Sequence, residues 1–171
     1  PTDNDRKIKL LWKNNHYNES VTRVYEISAK CTGDEAVITA HVGMTGWYIQ
    51  KFLDLQIQWT VHGGGQMDVS IQAQRDPDFR FLPRFGLRLF MPKAMDQVSY
   101  CGIGPMESYV DKRRASWYGK FDSSVSDLHE DYLRPQENGS HHGCDYVILQ
   151  GGDCTLTVLS QESFSFNASC Y

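Results

Sequence analysis

The chain has 171 residues, with 17 Lys and Arg against 21 Asp and Glu, for a formal net charge of −4. That balance supplies no long-range attraction for nucleic acid or for an anionic membrane surface, and no apolar run reaches the roughly 18 residues of a membrane-spanning helix. With 40% hydrophobic and 22% charged residues, the composition suits one globular domain able to bury about 70% of its unfolded surface.

Residues 1–20 are polar, and the density of Asp and Asn favours Asx-turns over helix or strand. This stretch reads as an irregular opening segment, with a β domain over 21–171. Pro1 in place of an initiator Met, with no signal-type apolar core, suggests a processed or excised piece. The sheet begins at Val21–Ala29. Ala36, Ile38, Ala40 and Val42 then alternate with Val37, Thr39 and His41, a period of two. Leu53, Leu55, Ile57, Trp59 and Val61 share one face of the next strand, opposed by Asp54, Gln56, Gln58 and Thr60. After His62-Gly63-Gly64-Gly65, the set Met67, Val69, Ile71 and Ala73 repeats the pattern, so an antiparallel hairpin is expected. Because Gly63–Gly65 lead into a strand and not a helix, they are turn residues and not a phosphate loop.

Phe85, Leu87, Leu89 and Met91 predict a further strand, and Val98 and Tyr100 a short one. From Tyr100 to Tyr146 the pattern breaks into Gly, Pro, aromatic and charged residues, a long loop of the functional kind. Tyr146–Leu149 and Thr155–Leu159 flank Gly151-Gly152 as a second hairpin. Phe164, Phe166 and Ala168 open a last strand, which the pattern predicts is cut by the chain end. A domain truncated there would leave edges and apolar faces uncovered and favour self-association. No window has sustained helical periodicity, so the fold class is all-β, an antiparallel sandwich.

Five cysteines, Cys31, Cys101, Cys144, Cys154 and Cys170, are scattered and odd in number. They read as free thiols, mostly buried as small hydrophobes, which favours a reducing compartment without excluding a periplasm.

Two segments of the long loop carry a signature: Gly104-Pro105-Met106-Glu107-Ser108-Tyr109-Val110-Asp111 and Arg134-Pro135-Gln136-Glu137-Asn138-Gly139. Together they resemble the "GP-x-E-N-Y-x-D … RPQENG" pattern of the C-terminal, small-subunit domain of glycoside hydrolase family 2 β-galactosidases. Pro1-Thr2-Asp3-Asn4-Asp5-Arg6 and Leu82-Pro83-Arg84-Phe85-Gly86-Leu87-Arg88-Leu89 resemble further segments of that domain. Ser108 and Val110 depart from it, where Asn and Pro are common. The resemblance implies a supersandwich related to galactose mutarotase. It also implies a parent enzyme that hydrolyses terminal β-galactosides with retention, and a catalytic barrel upstream that holds both glutamates. A homo-oligomeric parent is implied, with Mg and Na sites in other domains and no cofactor here. The family's substrate-contacting Trp lies past the position matching Tyr171.

Retaining hydrolysis needs two carboxyl groups roughly 5 Å apart, and Glu107, Asp111, Asp127, Glu130, Asp131 and Glu137 are the clustered carboxylates. With Arg113, Arg114 and Arg134 beside them, turn-fixing and ion pairing is the expected role, so no catalytic residue is assigned. His141, His142, Cys144 and His129 fit no common zinc spacing, and no metal ligand is assigned. Tyr109, Trp117, Tyr118 and Tyr132 are flat apolar surfaces that core or interface packing claims first. Trp117 and Tyr132 are the candidates for sugar stacking. Gly104, Pro105, Glu107, Arg134, Pro135, Glu137, Asn138 and Gly139 form the structural motif. Arg134, Glu137 and Asn138 are expected to knot the loop to the sandwich, with Glu137 paired to buried partners. Two other readings stand beside this one: a free-standing carbohydrate-binding module, which a loop aromatic cluster beside an antiparallel sheet would serve, and an aldose epimerase, which only the resemblance to the galactose mutarotase fold implies.

Overall fold

The computed structural model describes residues 3–48, 50–134 and 136–170. Two compact units divide the chain, one spanning Asp3–Gly86 and the other beginning at Leu87. Each contains one four-stranded antiparallel sheet, so the all-β antiparallel class read from the alternation is the class of the fold. Among the described residues no helix is long and apolar enough to cross a membrane.

In the first unit, β1 (Val21–Thr32), β2 (Glu35–Thr45), β3 (Lys51–His62) and β4 (Met67–Arg75) form a meander in that order. The hairpin expected about Gly63–Gly65 pairs Leu55 with Ala73, Ile57 with Ile71 and Trp59 with Val69, so the apolar sets of both strands share a face. Ala40, Val42, Phe52, Leu53 and Leu55 are the buried centre, with Tyr17, Phe79 and Leu82 packed against them. Burying each of Val42, Phe52, Leu53 and Leu55 contributes about 1.5–3 kcal/mol.

Residues before β1 depart from the irregular reading. Asp3–Lys7 and Tyr17–Glu19 are short 3₁₀ turns, and α1 spans Lys9–Asn14. A six-residue helix is unstable alone; here docking holds it. The Trp12 indole N–H donates to the Phe81 carbonyl at 3.2 Å, and the Tyr17 hydroxyl donates to the Arg80 carbonyl. The Tyr17 ring lies 4.9 Å from that of Phe52.

The second unit orders its strands β6-β5-β7-β8, with β5 at Gln97–Gly104, β6 at Trp117–Ser124, β7 at Ser140–Gly151 and β8 at Cys154–Asn167. Val98, Tyr100, Val125, Leu128, Cys144 and Val147 form its core, with Phe121, Phe164 and Phe166 against it.

Four expectations need correction. The stretch Tyr100–Tyr146 is not one long loop: β5 continues to Gly104, β6 lies wholly inside it, and β7 starts at Ser140. Phe164 and Phe166 do not open a new strand; they extend β8 past register shifts opposite His141, Cys144 and Tyr146. Residues 85–91 form no strand among the described residues, because no ladder partner is present for them. The thiols are not mostly buried: Cys101 and Cys144 are, while Cys31, Cys154 and Cys170 are exposed, all of them free.

Candidate functional site

The signature segments meet at one end of the second unit's sheet. At the end of β5, a Cβ on Gly104 would lie 2.1 Å from the Tyr100 hydroxyl oxygen and 3.0 Å from Phe121, so only glycine fits there. Ser108, the departure from the family pattern, is fully buried and clamps two strands. Its N–H donates to the Ser140 carbonyl and its hydroxyl to the Ile103 carbonyl, both at 2.7 Å. Its Oγ also accepts the His142 N–H at 2.9 Å. Serine therefore ties the segment after β5 to the start of β7.

Glu107 is the hub. It is 7% exposed, the one buried acidic residue among those described. Its Oε1 accepts from the Lys112 ammonium and the Tyr132 hydroxyl. Its Oε2 accepts the Gly139 N–H at 2.8 Å and the Tyr109 hydroxyl at 3.5 Å. Gly139 can present that N–H because its φ is +71°, and because a Cβ there would meet the Leu128 carbonyl oxygen at 2.5 Å. The Lys112 ammonium also sits 5.0 Å above the Tyr132 ring. Asn138 closes the knot: its Oδ1 accepts the Glu130 N–H at 3.1 Å, its amide donates to the Gln136 carbonyl at 3.1 Å, and its own carbonyl accepts from Asn167.

Burial disfavours the charged form of Glu107, but hydrogen bonds from Lys112, Tyr132 and the Gly139 N–H outweigh it, and its pKa falls below the ordinary 4.5. A carboxyl group depressed in the folded state stabilises the fold above its unfolded pKa and stops doing so as pH falls through the folded value. Stability is therefore expected to drop on acidification below about pH 4.5. Urea midpoints measured from pH 7 to 3 test this, and Glu107→Gln should flatten that part of the profile. Lys112 is raised, first by its hydrogen bond to Glu107, and burial with the nearby Glu107 charge pushes Tyr109 up to about 12.

The other predicted residues lie near this hub. Arg134 and Glu137 are exposed, so the burial expected of Glu137 belongs to Glu107. Pro135 lies outside the described residues, as do Pro1, Thr2 and Tyr171. Asp111, Asp127 and Asp131 are exposed. A cleft of about 160 Å³ beside the hub is lined by Met106, Glu107, Lys112, Arg113, Glu130 and Tyr132 among others. Of the two candidate stacking rings, Tyr132 is half-buried and engaged by Glu107, whereas Trp117 is 61% exposed at the start of β6.

His141 is 1% exposed, with its ring nitrogens each 3.3 Å from a backbone carbonyl, those of Gly139 and Pro105. Burial holds its pKa below the ordinary value, and the ring packs edge-on against Tyr100 at 4.5 Å. Cys144 is fully buried, its thiol pushed up to about 12 by desolvation. Among the described residues no three His, Cys, Asp or Glu side chains converge as a metal site. In the first unit, His41 bonds Asp54 at 2.8 Å, and His62 pairs with Asp68 at 2.9 Å and Glu35 at 3.1 Å. Lys112 and Ser108 escaped the sequence reading, and the signal for Lys112 was a cation five residues after Glu107 in a carboxylate-rich loop.

The sequence profile of the family described as "Beta galactosidase small chain" matches residues 1–171. The chain belongs to that family. Within it, the chain is 38% identical, over its full length, to a protein of Actinobacillus pleuropneumoniae named "Beta-galactosidase". It is 36% identical over its full length to one of the same name from Staphylococcus xylosus. A third, from Vibrio cholerae, is 32% identical over 126 residues, 72% of this chain and 12% of that protein. The chain spans 17% of the length of the first two relatives. In those proteins most of the polypeptide lies outside the part it matches.

Proposed function

We propose that residues 1–171 are an accessory, non-catalytic part of a β-galactosidase, an enzyme that hydrolyses terminal non-reducing β-D-galactose residues of β-galactosides. The relatives' name supports the activity of the whole, and the state of Glu107 carries the assignment of this part. A retaining glycosidase needs one carboxyl group as nucleophile and a second, with raised pKa, as acid and base. The one buried carboxylate among the described residues has its two oxygens taken by four donors, and its pKa moves the wrong way for an acid. It holds a loop in place, as a positioning element would.

In this reading the chemistry, the Mg and Na ions and the galactoside's main contacts belong to other domains, including a catalytic barrel, in a homo-oligomeric parent. The small chain packs against those domains and helps complete the wall of the active site. The direct test is incubation of purified residues 1–171 with a chromogenic galactoside. No turnover above buffer is expected, and turnover should appear when the remaining part of the enzyme is co-expressed. Turnover by the chain alone that vanishes in Glu107→Gln would overturn the assignment.

A further inference from the structure

The sheet of the first unit ends in an open cleft of about 270 Å³, formed where β3 starts and β4 stops. The register sets Asp54 opposite Gln74 and Leu53 opposite Arg75 there. The rim is polar, with Lys51, Asp54, Gln74, Arg75 and Asp76 around it and Pro77 beside them. All of these residues belong to the first unit. Internal contacts hold the rim in place without saturating it. Asp54 accepts from Lys51 and from His41; these bonds, that of Lys51 first, outweigh burial and hold its carboxyl below the ordinary 3.8. It is ionised at neutral pH and keeps lone pairs to spare. Arg75 spends one guanidinium nitrogen on the carbonyls of Asp76 and Phe79, which anchors a fork of five donors. Asp76 takes the Asp78 N–H on Oδ1 at 2.9 Å. The Gln74 side chain makes no hydrogen bond among the described residues.

We propose that this cleft is a non-catalytic binding site for one ring of a neutral saccharide, with Trp47 and Tyr48 as a stacking surface for the next ring. Charge selects the ligand. Lys51 and Arg75 offset Asp54 and Asp76, so an anion would face two carboxylates and a cation two basic groups. A hydroxyl group both donates and accepts, so it can bridge a carboxylate and an ammonium without adding charge. The volume lies just below the roughly 300–1,000 Å³ of sites for drug-sized ligands, which suits a single sugar ring. Trp47 and Tyr48 stand on the turn between β2 and β3, at the same end of the sheet, just before Lys51. They are exposed, with ring centroids 6.1 Å apart and packed edge to face. Flat apolar rings with polar edges match the C–H face of a pyranose.

The choice of a galactoside as probe rests on the proposed parent activity, so hydrolysis is assayed in parallel. The experiment is photoaffinity labelling of the full-length protein with a hydrolysis-resistant thio-β-galactoside bearing a diazirine, with labelled peptides mapped by mass spectrometry. Label is expected on peptides covering residues 47–54 and 74–77. Excess galactose should displace it and sodium phosphate should not; displacement by phosphate would show an anion site and overturn the proposal. Trp47→Ala and Gln74→Ala should each lower that labelling about 10-fold, and Trp117→Ala, on the other unit, should leave it unchanged. Equal labelling in all three variants would overturn the site. An active enzyme without label in the cleft would overturn it too, while leaving the accessory role intact. Label in the cleft of a protein that cleaves no galactoside would support the site and count against the parent activity instead.

Discussion

Replacing Glu107 with alanine is expected to destabilise the second unit by about 3 kcal/mol, a fall in Tm of about 6–12 °C for a chain of this size. The loss has unequal parts. Lys112 has an exposed side chain and can return to water, so its ion pair contributes little of the total. The Gly139 N–H cannot, because Gly139 is buried, and an unpaired buried donor costs about 1–3 kcal/mol. The Tyr132 hydroxyl loses its acceptor, and the cavity left by the side chain adds to the cost. Glu137→Ala, at the surface, is the control and should change stability by less than about 1 kcal/mol. Equal effects of the two substitutions in thermal denaturation would show that the hub is not where the energy lies.

Gly139→Ala should cost about 2–4 kcal/mol for two independent reasons. An L-residue at φ +71° is strained by roughly 1–2 kcal/mol. The new methyl would also overlap the Leu128 carbonyl oxygen, backbone that no rotamer change can move, and overpacking of that sort costs about 1–3 kcal/mol. Both Glu107→Ala and Gly139→Ala disturb the same N–H···carboxylate bond. Their combined effect should therefore fall short of the sum by about 1 kcal/mol in a double-mutant cycle. Strict additivity would mean that the Gly139 N–H and the carboxylate do not act together.

Half of this architecture could be read from local pattern, and the rest depended on partners distant in sequence. The β3–β4 hairpin was legible because both strands alternate without interruption and a Gly run separates them. β6 was missed because Gly119 interrupts its apolar face between Trp117 and Phe121. That gap lets the Phe121 ring lie against the Gly119 backbone, where an added Cβ would meet it at 3.1 Å. In 85–91 the strand pattern was read correctly as pattern, but a strand is a pair, and the pattern says nothing about where its partner is. Glu137 was expected to be the buried carboxylate because it sits between Pro135 and Gly139. Glu107 took that role through contacts 5, 25 and 32 residues away in sequence, which composition of the local loop cannot reveal. The family resemblance supplied the motif that brings those segments together, without saying which carboxylate would be inside.

The two sheets differ in how far the chain must travel to close them, and that difference sets the order of assembly. Every ladder of the β1–β4 meander joins strands adjacent in sequence, so it can form one hairpin at a time with little entropy lost at each closure. The second sheet has no such route. Its central ladder pairs Tyr100 with Val147, so β5 must meet β7 across the whole of β6 and the Glu107 knot before Tyr100 gains its cover. Non-local pairing of that kind slows folding, and closure of β5 on β7 is the step expected to be slowest in stopped-flow refolding.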